Sequence, residues 1–205
     1  MTIDTWLTIF FGIIGSIGTF AAIYFERKAS KLKKDRFRFS WHDVYEGTRE
    51  LSKKAIKKYK PNVIITGAGG PSIVANLLVE HQQYFTYQIT LPVEGYGIKS
   101  QLDCSNSYEK VPSISSDYDI WMPNDIATMY KDKENVRILI VDDAIFRNEI
   151  YLSTRNYLIE KGYFENNIKI CTLVVLIASL KSKVIPDYYY FQVDTPNFYL
   201  PWGKI

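Results

Sequence analysis

RILIVDDAIF, residues 137–146, places the aliphatic residues Ile138 to Val141 directly before the adjacent carboxylates Asp142 and Asp143. An aliphatic run without a polar alternate has no solvent face, which is the pattern of a strand covered on both sides in a parallel sheet. Two ionisable groups are costly inside such a core, so the strand is expected to surface where they begin. The carboxyl ends of parallel strands are where open α/β sheets present their ligand crevice. Asp142 and Asp143 are therefore candidate ligand-binding residues, suited to accept hydrogen bonds from a sugar diol or to hold a metal ion through its waters. An acid that caps the following helix is the other reading of the same pair.

Upstream, Val63 to Ile65 repeats a short aliphatic run, Thr66-Gly67-Ala68-Gly69-Gly70 interrupts it, and Pro71 opens a helix with Ile73, Val74, Leu77 and Leu78 on its apolar positions. Gly67, Gly69 and Gly70 permit the backbone to turn its amides toward an anion at that helix start, which suits a phosphate or pyrophosphate; a simple chain reversal needs the same glycines. No Gly-Lys-Ser/Thr follows, and the dinucleotide fingerprint is incomplete. Before this unit, Trp41, Val44, Thr48, Leu51 and Ala55 recur at three- and four-residue spacing and predict a helix over 41–60, capped by Ser40 and stopped by Pro61. Residues 84–93 read as a strand, 94–118 show no period, and a short helix is expected around 124–130. After the acids come a helix over 149–161, the strand KICTLVVLI, and two aromatic strands within DYYYFQV and NFYLPW. The alternation predicts an α/β fold with a mostly parallel sheet flanked by helices.

Taken together, ILIVDD, TGAGG and the ending PDYYYFQVDTPNFYLPWGKI make residues 41–205 resemble the type I phosphoribosyltransferases. The resemblance implies that Asp142 and Asp143 meet the ribose hydroxyls of phosphoribosyl pyrophosphate, that Gly67, Gly69 and Gly70 form the pyrophosphate loop, and that Mg2+ is the cofactor. It also implies that 94–118 is the closing loop and that Phe198 or Trp202 stacks on a base; core packing is the alternative for both aromatics. Where the family wraps a 5′-phosphate in small and hydroxyl residues, this chain carries Phe146, Arg147 and Asn148, an altered phosphate loop. Bulky Phe146 and anionic Glu149 oppose a phosphate in the family's pose, while Arg147 attracts one in a different pose.

At the other end, Trp6 to Phe25 contains no charge, and about 20 residues at 1.5 Å rise match the apolar thickness of a bilayer. Seven basic residues against two acidic ones follow between Glu26 and Arg38, so the positive-inside rule predicts a single-pass cell-membrane anchor with the N-terminus outside and the rest cytoplasmic. Small residues at four-residue spacing (Gly12 and Ser16, Gly15 and Thr19, Gly18 and Ala22) form a candidate face for self-association or for a protein partner in the membrane. The expected organisation is an anchor over 1–25, a basic linker over 26–40 and a phosphoribosyltransferase-like domain over 41–205.

With a net charge of +3, the concentration of positive charge in that linker leaves the remainder slightly acidic, which argues against a nucleic-acid-binding face. Cys104 and Cys171 form no framework, and His42 and His81 no direct metal or catalytic cluster. The functional expectation is a membrane-anchored, divergent phosphoribosyltransferase-like protein that binds a nucleotide or phosphoribosyl ligand as an effector or sensor. The alternative is an active Mg-dependent enzyme moving phosphoribose onto a base or other acceptor.

Overall fold

Ser40 opens the first helix through a reciprocal hydrogen-bonded box: its Oγ accepts from the Asp43 amide at 3.2 Å, and Asp43 Oδ2 accepts from the Ser40 amide at 2.7 Å. The computed structural model describes residues 37–91, 93–95, 107–112, 118–146, 149–181 and 185–204. Their contacts define a larger unit over Phe39–Pro196 and a smaller one that includes Phe37–Arg38 and Asn197–Lys204. In the smaller unit, β1 (Phe37–Arg38) pairs parallel with β10 (Phe198–Leu200), which pairs antiparallel with β11 (Gly203–Lys204).

Within the larger unit, α1 (Trp41–Ser52) continues into a wider π-helical stretch, Lys53–Lys58. Val44, Thr48, Leu51 and Ala55 are buried as their spacing predicts, but Trp41 at the head of the helix is 56% exposed. Five strands, β2 (Val63–Gly67), β3 (Tyr87–Leu91), β7 (Ile138–Ile145), β8 (Ile168–Leu176) and β9 (Tyr188–Val193), form one sheet in the order β3-β2-β7-β8-β9. Every neighbouring pair in it is parallel. A separate antiparallel sheet joins β4 (Val93–Gly95), β6 (Tyr118–Pro123) and β5 (Tyr108–Val111), in the order β4-β6-β5.

Both faces of the parallel sheet are covered, which explains the unbroken aliphatic runs. α1 and α2 (Gly70–Glu80) pack on each other, α1 against β8 and β9, α2 against β2 and β7. Gly47 permits the close approach of α1: a Cβ built there would fall 2.7 Å from Leu173 Cδ1. On the opposite face, Ile65, Ile89, Ile138, Ile140, Ile168 and Ile170 form a core with Tyr151, Tyr157 and Leu158 of α3 (Glu149–Glu160) and with Val111, Ile120 and Met122 of the antiparallel sheet. Each such aliphatic side chain taken fully from water contributes roughly 1.5–3 kcal/mol.

Three expectations are modified. The strand predicted over 84–93 is confined to Tyr87–Leu91, with β4 following after Pro92. The aperiodic stretch 94–118 contains β5, whose partners are Ile120 to Pro123, so its order comes from non-local pairing; residues 96–106 and 113–117 lie outside the described residues. The helix expected around 124–130 is a 3-10 turn, Asn124–Ala127, anchored by buried Ile126. The membrane helix expected over Trp6–Phe25 also lies outside the described residues, among which no helix is long and apolar enough to cross a membrane.

Candidate functional site

Strand β7 does not stop at its acids. Ala144 and Ile145 continue the ladder opposite Val174 and Val175 of β8, so Asp142 and Asp143 sit within the strand. Strand periodicity of two puts Asp142 on the same face as Ile138 and Ile140. Asp143 is 6% exposed. Asp142 retains some exposed residue surface while its carboxyl group is enclosed. Burial first, and then the charge of Asp143, hold the Asp142 carboxyl well above the usual carboxylate range. A carboxyl that keeps its proton donates a hydrogen bond as well as accepting one.

Thr66, opposite Val141 in register, and Gly67 end β2 beside the acids. Gly69 has φ +81° and precedes α2, which starts at Gly70 with Pro71 in its first turn. A Cβ at Gly69 would meet nothing within 4 Å, so the backbone conformation requires glycine here, not the packing. No side chain caps the α2 N-terminus; Ser72 Oγ instead donates to the Gly69 carbonyl at 2.6 Å. The turn therefore leaves main-chain amides for another partner.

Between the β2–α2 turn, β7 and α3 lies a cavity of about 160 Å3. Its polar contributors are Thr66, Asp142, Tyr151 and Thr154, with Gly67 and Ala68 from the turn; Ile65, Leu91, Ile140 and Ile150 supply apolar walls. The structure thus brings Asp142 and Gly67 to one cavity, with Gly69 and Gly70 following directly in the turn and at the helix start. Phe146 is half-buried, and its carbonyl accepts from Ser179 Oγ at 2.6 Å. Arg147 and Asn148 lie outside the described residues. Phe198 and Trp202 belong to the smaller unit, the first buried and the second half-buried. Among the described residues, no group of three or more His, Cys, Asp or Glu side chains is placed to hold a metal ion.

Sequence reasoning missed Thr154. It is wholly buried, and its Oγ1 has no hydrogen-bond partner. The usable signal was its spacing from Tyr151 and Leu158, which puts a hydroxyl in the apolar stripe of α3.

No family model and no curated protein matches the sequence. Solved structures do. A purine phosphoribosyltransferase from Pyrococcus horikoshii Ot3 superposes with a TM-score of 0.60 at 24% identity, over 83% of this chain and 95% of that one. The chain has a phosphoribosyltransferase-like fold. A hypoxanthine-guanine phosphoribosyltransferase from Bacillus anthracis matches with a TM-score of 0.56 at 15% identity, over 81% of this chain and 86% of that one. A hypothetical protein from Neisseria gonorrhoeae with bound ppGpp gives 0.56 at 15% identity, over 82% and 89%. At these identities the likeness speaks for the fold.

Proposed function

We propose that this chain is a divergent phosphoribosyltransferase-like protein that binds a nucleotide or phosphoribosyl ligand at the crevice shared by β2 and β7. The observation that carries the reading is the meeting of Asp142 and Gly67 on one cavity beside the carboxyl ends of parallel strands. In that pose the acids take ribose hydroxyls and the Gly67–Gly70 turn takes an anion. A similarly folded protein with bound ppGpp supports the nucleotide class. Phe146, Arg147 and Asn148 replace the small residues of a phosphate cradle, which favours recognition over transfer. With the apolar segment over 1–25 as an anchor, 26–40 as a linker and 41–205 as the ligand-binding domain, the protein works at the cytoplasmic side of a membrane as an effector or sensor, with self-association through the anchor.

The alternative is an active phosphoribosyltransferase, favoured by the acids and glycine turn being present together. Asp142 and Asp143 are hard oxygen donors that fit Mg2+ through waters and ligand oxygens, with no direct cage. When bound, the ion neutralises charge on a pyrophosphate.

Calorimetric titration of the full-length chain with a panel of ribosyl ligands, including phosphoribosyl pyrophosphate and ppGpp with and without Mg2+, tests the reading. Binding that is lost in the Asp142→Asn, Asp143→Asn double variant supports it. A panel that is silent at millimolar concentration sinks it. Release of pyrophosphate in the presence of a base selects the enzyme alternative.

A further inference from the structure

α1 and the π-helical stretch that continues it turn one side to α2 and the sheet and the other to solvent. Trp41, Tyr45, Arg49, Lys53 and Lys57 recur at four-residue spacing, form one row along the outer side, and are all exposed. Trp41 is 56% exposed and Tyr45 50%, although the Tyr45 ring meets the His81 ring edge-on. Behind the two aromatics comes KKAIKKYK, residues 53–60, with five lysines and no acid. The acids of α1 lie ahead of this block, where Glu46 pairs with Arg49 and Glu50 with Lys53. Among the described residues, no ion pair reaches Lys54, Lys57 or Lys58.

The helix itself does not account for this composition. One or two cations in the last turn satisfy the negative end of a helix dipole. Lys53 and Lys57, like Lys54 and Lys58, stand about one turn apart, where like charges repel and weaken a helix. Trp41 and Tyr45 leave half of their surface in water. A partner that offers negative charge together with an apolar boundary answers both features.

An anionic bilayer has that chemistry: its surface potential attracts clustered lysines, and the amphipathic rings of Trp and Tyr settle at its interface. From Trp41 to Lys58 the row is about 25 Å long, enough to lie along a surface instead of touching it at a point. A nucleic acid supplies the charge without the apolar boundary, and the chain beyond the basic linker is slightly acidic as a whole.

We propose that the outer row of α1, from Trp41 to Lys58, is a docking face for the surface of an anionic bilayer, with the lysine block on the lipid headgroups and Trp41 and Tyr45 at the boundary with the acyl chains. The inference goes beyond the ligand crevice and needs no transmembrane anchor. With the proposed anchor in place, the residues between Phe25 and Trp41 reach at most about 55 Å, which keeps the face near the same surface.

The test uses the full-length chain with vesicles of phosphatidylcholine alone and with about one-third phosphatidylserine, their acyl chains brominated near the headgroup to quench interfacial tryptophan. The Trp41 contribution is the difference between the native chain and Trp41→Phe, in which Trp6, Trp121 and Trp202 cancel. The expected result is Trp41 quenching about fivefold or more greater on the anionic vesicles than on the neutral ones. High salt removes it, and so does the joint change of Lys53→Gln, Lys54→Gln, Lys57→Gln and Lys58→Gln. The variant is expected to melt no lower than the native protein, and the salt arm reads the same charge dependence without any substitution. Equal quenching on neutral vesicles, none on anionic ones, or quenching indifferent to salt or to the four substitutions overturns the docking face. A nucleic-acid duplex held by the native chain and released by the variant, with no Trp41 quenching on vesicles, overturns it as well. Salt-resistant retention on neutral vesicles reads the anchor separately, and ligand titration reads the crevice, so neither falls with the face.

Discussion

Tyr157 donates its phenol hydrogen to Glu109 Oε2 at 2.9 Å, and Lys161 Nζ meets the same carboxylate oxygen at 2.8 Å. The pair ties α3 to β5. The Lys161 hydrogen bond, then that of Tyr157, holds the Glu109 carboxyl below its usual range, while burial and then Glu109 raise the phenol. Glu109→Ala is expected to destabilise the fold by about 1 kcal/mol, because a largely buried phenol loses a charged acceptor. Glu109→Gln, which keeps an acceptor, should recover part of this. Urea unfolding of the two variants measures the difference.

Asp142 should make the protein less stable as pH rises. Its folded value is raised, so between the ordinary 3.8 and that value the native state binds more protons than the unfolded chain, and stability falls with increasing pH through the window. Asp142→Asn is therefore expected to be more stable than the native protein by about 1–2 kcal/mol near neutrality, the order of one poorly compensated buried polar group. The advantage should vanish below 3.8. Denaturation at the two pH extremes checks this, and an unchanged difference between them counts against the assignment.

His81 acts with the opposite sign. Its Nε2 lies 3.0 Å from Thr48 Oγ1, whose own hydrogen goes to the Val44 carbonyl at 2.8 Å, so the neutral ring is the donor. Burial lowers its pKa from 6.5, with the charge of Glu80 opposing. The contribution is present above 6.5 and is lost as pH falls from there toward the lowered folded value. His81→Gln should flatten this part of the stability profile, as read by thermal melts across the interval.

The backbone of α1 approaches the sheet so closely that Gly47 has little room to change. An added Cβ would lie 2.7 Å from Leu173 Cδ1 and 3.0 Å from Tyr190 Cδ1. Gly47→Ala gains helix propensity but overpacks this contact, and a net loss of about 1–3 kcal/mol in chemical denaturation is expected.

Much of this architecture was legible because its signals are local. Ile138 to Val141 and Val63 to Ile65 announce two-sided burial through the absence of polar alternates, and Gly69 with Pro71 marks a turn into a helix. What was not legible depends on partners distant in sequence. The extension of β7 past its acids rests on Val174 and Val175, and β5 exists because Ile120 to Pro123 lie opposite it. Trp41 has the right spacing for the α1 core but falls at its exposed head. That Asp142 and the glycine turn lie close together could be expected from their places at strand ends, whereas Thr154 is conspicuous only once its neighbours show that none of them bonds to it. The grouping of the last aromatic strands with Phe37 and Arg38 in one compact unit is likewise non-local, and no pattern within either segment announces it.

That smaller unit is closed entirely by non-local pairing. Phe37 is in register with Phe198 and Arg38 with Tyr199, and the Arg38 guanidinium lies over the Tyr199 ring, 5.6 Å from its centroid. Two rungs of parallel pairing thus join segments from opposite ends of the described chain, with β11 bracing β10 from its other edge. β1 acquires its partner only once Phe198 and Tyr199 have been synthesised, so this clasp is among the last parts of the fold to close.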